Sequence, residues 1–174
     1  MKSFRDIEAA ASNIKWFENI KDVANPEDPI CQNWLSYTAW MTDKLRNEFP
    51  QHDLKVTSES IGEIPLMLRD LKENAVGLTR EIEILVAKNV SIFAQTFASN
   101  STLEKNQWLS DLGNNPLGGK LSLIKGIERV GLLFTSVDVG EEKILCRRSS
   151  FELILSSFIL LKHFLLSSTK YSSK

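Results

Sequence analysis

The chemistry this chain could perform is best approached through one arginine. Arg80 opens the run Arg80-Glu81-Ile82-Glu83-Ile84-Leu85-Val86. As a strand, this run puts Arg80 with Ile82, Ile84 and Val86 on an apolar face, while Glu81 and Glu83 point the other way. A charge on a core face must be paired, so an arginine there needs an explanation. Lys88-Asn89 reads as a two-residue turn into a second strand, Val90 to Ala98. That turn sets Val86 opposite Ser91, Ile84 opposite Phe93, Ile82 opposite Gln95 and Arg80 opposite Phe97. Gln95 then lies diagonally beside Arg80. A cationic fork next to an amide, ringed by Ile82, Ile84, Phe93 and Phe97, suits a small apolar molecule carrying a carboxylate. An arginine paired with a core carboxylate, or snorkelling from a strand end, would leave the same pattern, which by itself does not separate the two.

Other chemistry is sparse. Two histidines, His52 and His163, form no metal-ligand cluster, and Cys31 and Cys146 lie far apart with no CxxC. The cysteines read as packed, reduced side chains. No GxSxG, P-loop or GxGxxG occurs. Glu128 and Arg129 are candidate pocket members, though a solvated strand face explains them as well.

The elements that must position Arg80 follow from periodicity. Arg5 to Ile20 has helical spacing of Ile7, Ala10, Ala11, Ile14 and Phe17. Asp28-Pro29 starts a second helix expected to reach Phe49, with Ile30, Trp34, Leu35, Tyr37, Met41 and Leu45 facing inward. Leu54–Ile64, Leu78–Val86 and Val90–Ala98 read as strands. A short helix begins at Asn100-Ser101-Thr102 and ends at Gly113, and residues 114–119 form a turn-rich stretch. Further strands fill Ile124 to Leu166, joined at Gly140-Glu141-Glu142 and at Ser156-Ser157. Helices first and strands afterwards predict an α+β fold, an antiparallel sheet with helices packed on it. The expected organisation is a single domain over 1–174, with an N-terminal helix and linker over 1–27 and a frayed tail over 167–174.

The 174 residues are 43% hydrophobic and 25% charged, with a net charge of -1. That is an ordinary soluble composition without a basic footprint for nucleic acid. The N-terminus lacks a signal-like apolar region, and the run Phe151–Leu166 is too interrupted for a spanning helix, which needs about 20 apolar residues. A cytoplasmic monomer acting on a small molecule, with no nucleic acid partner and no membrane span, is the expectation.

Several segments together resemble the chorismate lyase (chorismate pyruvate-lyase) family. They are Trp34-Leu35 followed by Met41-Thr42-Asp43-Lys44-Leu45, Leu78-Thr79-Arg80-Glu81-Ile82, Ser101-Thr102-Leu103, Leu112-Gly113-x-x-Pro116-Leu117-Gly118, and Arg147-Arg148-Ser149. The resemblance implies a six-stranded antiparallel sheet with a ligand buried beneath helical flaps, and no metal or organic cofactor. It implies conversion of chorismate to 4-hydroxybenzoate and pyruvate, the opening step of ubiquinone synthesis. By the same likeness Arg80 binds the ring carboxylate, and Met41 and Leu117 contact it through their backbone.

Two positions depart from the family pattern. Gln95 stands where a second arginine is usual; it can still donate hydrogen bonds to substrate or product. Lys162 stands where the family carries its catalytic glutamate, replacing an acceptor by a donor-only ammonium. Three readings follow: Lys162 acts as acid or base and contacts substrate, the alignment slips so that His163 enters the site, or catalysis is lost while the pocket remains.

Overall fold

The structure is a computed structural model describing residues 4–164 apart from 12, 26, 30, 72–74 and 154–155; over 156–164 the backbone alone is described. Ile30 and the tail expected at 167–174 fall outside it. Among the described residues the α-helices are short: α1 (Phe4–Ala10), α2 (Met41–Glu48), α3 (Asn100–Lys105) and α4 (Leu117–Leu121). The strands are β1 (Asp53–Glu63), β2 (Val76–Val86), β3 (Asn89–Ser99), β4 (Glu128–Val139), β5 (Glu142–Leu153) and β6 (Ser156–Phe164). The chain is thus α+β with antiparallel pairing, as expected. β1–β2–β3 form a meander and β4–β5 a hairpin, and the β6 backbone lies between β3 and β5, giving the order β1-β2-β3-β6-β5-β4. Ser156-Ser157 opens β6 rather than forming a turn before it.

The expected helices are cut short by tertiary bonds. α1 ends at Ala10, and Phe17 instead exchanges backbone hydrogen bonds with Phe134 on the sheet edge, at 2.9 and 2.8 Å. The helix expected from Asp28 to Phe49 becomes a π-helical turn at Cys31–Leu35 and, after a break, α2. Its continuity fails because Arg147 Nη1 donates to the carbonyls of Trp34, Leu35 and Tyr37 at 3.2, 3.0 and 2.6 Å. Arg129 Nη1 takes the Thr38 carbonyl in the same way. Carbonyls bonded to these arginines point away from a helical path. The third helix stops at Lys105, followed by a 3₁₀ turn at Gln107–Leu109, and Gly113 turns the chain at φ +52°. Within the stretch read as turn, Pro116 opens α4.

The sheet has two covered faces. On one, Ile84, Ile92 and Phe134 pack against Leu35, Met41 and Leu45, and Ala98 and Phe151 pack against Leu109, Leu117 and Leu121. On the other, Phe93, Phe97, Ile144 and Cys146 meet Phe4, Ile7, Met67 and Leu68. Cys146 is fully buried and desolvation pushes its thiol up, which suits the packed role expected of it. The second face also carries paired polar groups. Arg148 forks onto Asp70 at 2.7 and 3.0 Å and stacks 4.5 Å over Trp16.

Glu8 of α1 faces this side. Burial raises its pKa, Glu81 adds to the rise, and a hydrogen bond from Gln95 opposes it. An acid whose folded pKa is raised favours folding when protonated, and its contribution is lost as pH climbs past the ordinary carboxylate value. Glu8→Gln keeps the hydrogen bonding and removes the charge. It should raise the melting temperature at pH 7 by roughly 2 °C, with the gain vanishing near pH 3, as read by thermal unfolding across pH.

Candidate active site

Arg80 lies mid-strand on β2 and is 4% exposed. Its Nη1 donates to Glu59 Oε2 on β1 at 3.4 Å and its Nη2 to the Asn115 carbonyl at 3.1 Å. Burial lowers its pKa and Glu59 partly restores it. The core-carboxylate pairing that the sequence left open is therefore present, but it is long for a charge-assisted bond. Glu59 itself is about one-third exposed.

Arg80 borders a cavity of about 30 Å³. Its floor is Arg80, Ile82 and Ile84 of β2 with Ala94 and Thr96 of β3. Thr42 and Leu45 of α2 and Pro116, Leu117 and Gly118 close it from above, and His52 and Leu54 form one end. The roof helices meet closely, since a Cβ at Gly118 would lie 2.5 Å from Thr42 Oγ1. Neither α2 nor α4 has a side-chain N-cap bond, and the first N–H groups of a helix have no acceptor within it.

The expected register needs correction. The hairpin turns on Ala87 and Lys88, at φ 50° and 65°, rather than on Lys88-Asn89. Val86 pairs with Asn89, and a bulge then shifts the pairing so that Ile84 faces Ile92, Ile82 faces Ala94 and Arg80 faces Thr96. A one-residue shift exchanges the two faces of a strand. Gln95 thus leaves the Arg80 face and donates to Glu81 Oε1 at 2.9 Å on the other side. Phe93 and Phe97 go with it into the α1 core, so the apolar walls beside Arg80 are Ile82, Ile84 and Ala94.

Other sequence candidates are placed as follows. Leu117 lines the cavity, while Met41, first residue of α2, is buried in the adjoining cluster with Thr42 lining the cavity beside it. By backbone pairing, position 162 lies between Ala94 and Arg147, in a row that includes the cavity-lining Ile82 and Ala94. The backbone of position 163 lies between Phe93 and Cys146, one residue along from that row. Arg129 is no solvated strand residue: burial lowers its pKa, and it stacks 5.2 Å from the Phe151 ring. Glu128 is exposed. Arg147 is 2% exposed, and burial, with Arg129 nearby, pulls its pKa down to about 9. Sequence reasoning missed Thr42, His52 and Thr96 as cavity residues; no local pattern marks them.

A model of the chorismate lyase family matches residues 10–174. The chain belongs to the chorismate lyase family. A search of curated proteins finds no match. Membership implies a lyase that binds a small molecule, and no helix among the described residues is long and apolar enough to cross a membrane.

The roof contact can be tested directly. Gly118→Ala should destabilise the fold by about 1–2 kcal/mol by overpacking against Thr42. Adding Thr42→Ala should return part of that loss, measured by denaturant unfolding of both single variants and the double variant.

Proposed function

We propose that this chain converts chorismate to 4-hydroxybenzoate and pyruvate, with Arg80 holding the ring carboxylate. The observation that carries the reading is a buried guanidinium, served by one long carboxylate contact and one carbonyl, at the edge of an apolar cavity in a chorismate lyase family chain. An incoming carboxylate can offer that fork two oxygens in one plane, a better match than Glu59. The first N–H groups of α2 and α4, at Met41 and Leu117, would help bind it. In the reaction the C3–O bond breaks, ring C4 loses a proton, and the enolpyruvyl group leaves with a proton as pyruvate. Aromatisation supplies much of the driving force, so the protein's task is to orient a dianion and assist proton movement.

A cavity of about 30 Å³ has room for little more than one water molecule. Ring entry therefore requires the covering elements to part. α2 and α4, eight and five residues long, are the flaps of this reading. The work is that of a cytoplasmic monomer without cofactor, supplying 4-hydroxybenzoate for ubiquinone synthesis.

A non-catalytic binder of a small aromatic carboxylate is the second reading, favoured by Lys162 at the glutamate position within a pocket row. Incubation with chorismate should yield equal amounts of 4-hydroxybenzoate and pyruvate by chromatography. Arg80→Ala should lower kcat/KM by roughly 100-fold, the scale of a lost charged hydrogen bond pair. Binding of 4-hydroxybenzoate without turnover, together with activity gained by Lys162→Glu, would establish the binder instead. Unchanged ligand affinity in Arg80→Ala would remove the pocket assignment.

A further inference from the structure

The end wall of the cavity holds a side chain that the reaction scheme above leaves unused. His52 follows α2, whose C-cap is Phe49. The Phe49 carbonyl accepts the His52 backbone N–H at 3.0 Å and lies 2.7 Å from the ring Nδ1. A carbonyl oxygen can only accept, so Nδ1 carries the hydrogen, and in the neutral imidazole Nε2 is the acceptor. Nε2 makes no hydrogen bond among the described residues. His52 lines the same cavity as Arg80.

The two polar groups occupy different ends of that cavity. Leu54, two residues beyond His52, pairs with Ile84, and Arg80 is four residues from Ile84 along β2. Four residues of strand span about 13 Å, and His52 lies further from Arg80 than Leu54 does, so the space between them separates the two groups. Leu45, Leu54, Ile82 and Ala94 make the intervening wall apolar. The cavity thus has a donor-only cation at one end and an acceptor nitrogen at the other.

We infer that His52 Nε2 accepts a hydrogen bond from the ring 4-hydroxyl, making His52 the specificity residue for a para-hydroxylated aromatic or cyclohexadienyl carboxylate. This rests on the proposed seating of the ring carboxylate on Arg80. The 4-hydroxyl is common to chorismate and 4-hydroxybenzoate, so the contact holds substrate and product alike. It supplies the acceptor that an ammonium at position 162 cannot provide. A buried hydroxyl without an acceptor is penalised, and an acceptor without a donor likewise, so the site should discriminate against rings lacking the group.

The test compares 4-hydroxybenzoate with benzoate by titration calorimetry. The native chain should prefer 4-hydroxybenzoate by roughly 10-fold. His52→Asn can keep the bond to the Phe49 carbonyl while removing the distal acceptor. It should abolish the preference and leave benzoate affinity within about 2-fold. His52→Gln, whose oxygen approximates the Nε2 position, should retain part of the preference. Arg80→Ala should weaken both ligands together. A preference that survives in His52→Asn, or equal affinities in the native chain, overturns the His52 role and leaves the Arg80 pocket standing. Binding of neither ligand by the native chain overturns both.

Discussion

A guanidinium buried in a sheet must find partners, and the way four arginines do so organises this molecule. Arg147 and Arg148 are neighbours on β5 and therefore serve opposite faces. Arg148 spends its fork on Asp70 and its plane on Trp16, fastening the segment after β1 to the α1 face. Arg147 collects three carbonyls from residues 34–37, and Arg129 a fourth at Thr38. Those bonds break what would be one long helix and deliver its second half, α2, over the sheet. The fourth arginine, Arg80, lies under that roof with longer contacts. Arg147 and Arg129, which hold the roof, Arg148 on the opposite face and Arg80 beneath the roof share a single structural logic.

The roof has its own constraint. Thr42 and Gly118 approach so closely that a methyl group does not fit between them. Two short helices meeting at a glycine can close tightly, each held to the sheet by its own buried residues, Met41 and Leu45 on α2 and Leu117 and Leu121 on α4. The same closeness leaves only a small cavity beneath the two helices.

Arg80 and Gln95 show how a local decision becomes a functional one. Both are buried as the sequence suggested, yet they face opposite ways because the hairpin turns one residue early and bulges once. Gln95 consequently bridges Glu81 and Glu8 in the α1 core. Its replacement of the usual arginine bears on that acidic pair and not on the Arg80 fork. The departure at Lys162 is different, since its register position belongs to the pocket rows.

Strand existence, the α+β class and the burial of Arg80 were legible from alternation, turn residues and the rarity of a charge on an apolar face, because these depend on neighbours along the chain. The ordered motifs around Arg80, Leu117 and Arg147 pointed to the family on the same local footing. The tertiary structure alone decided helix length near residues 34–40, since distant arginines compete for the carbonyls. It also decided the hairpin register, since positive φ at Ala87 and Lys88 carries no glycine or asparagine signature at those positions. His52 entered the cavity by the same route: an isolated histidine after a helix has no pattern to announce it, and only the fold of α2 and β1 against β2 sets its ring opposite Arg80.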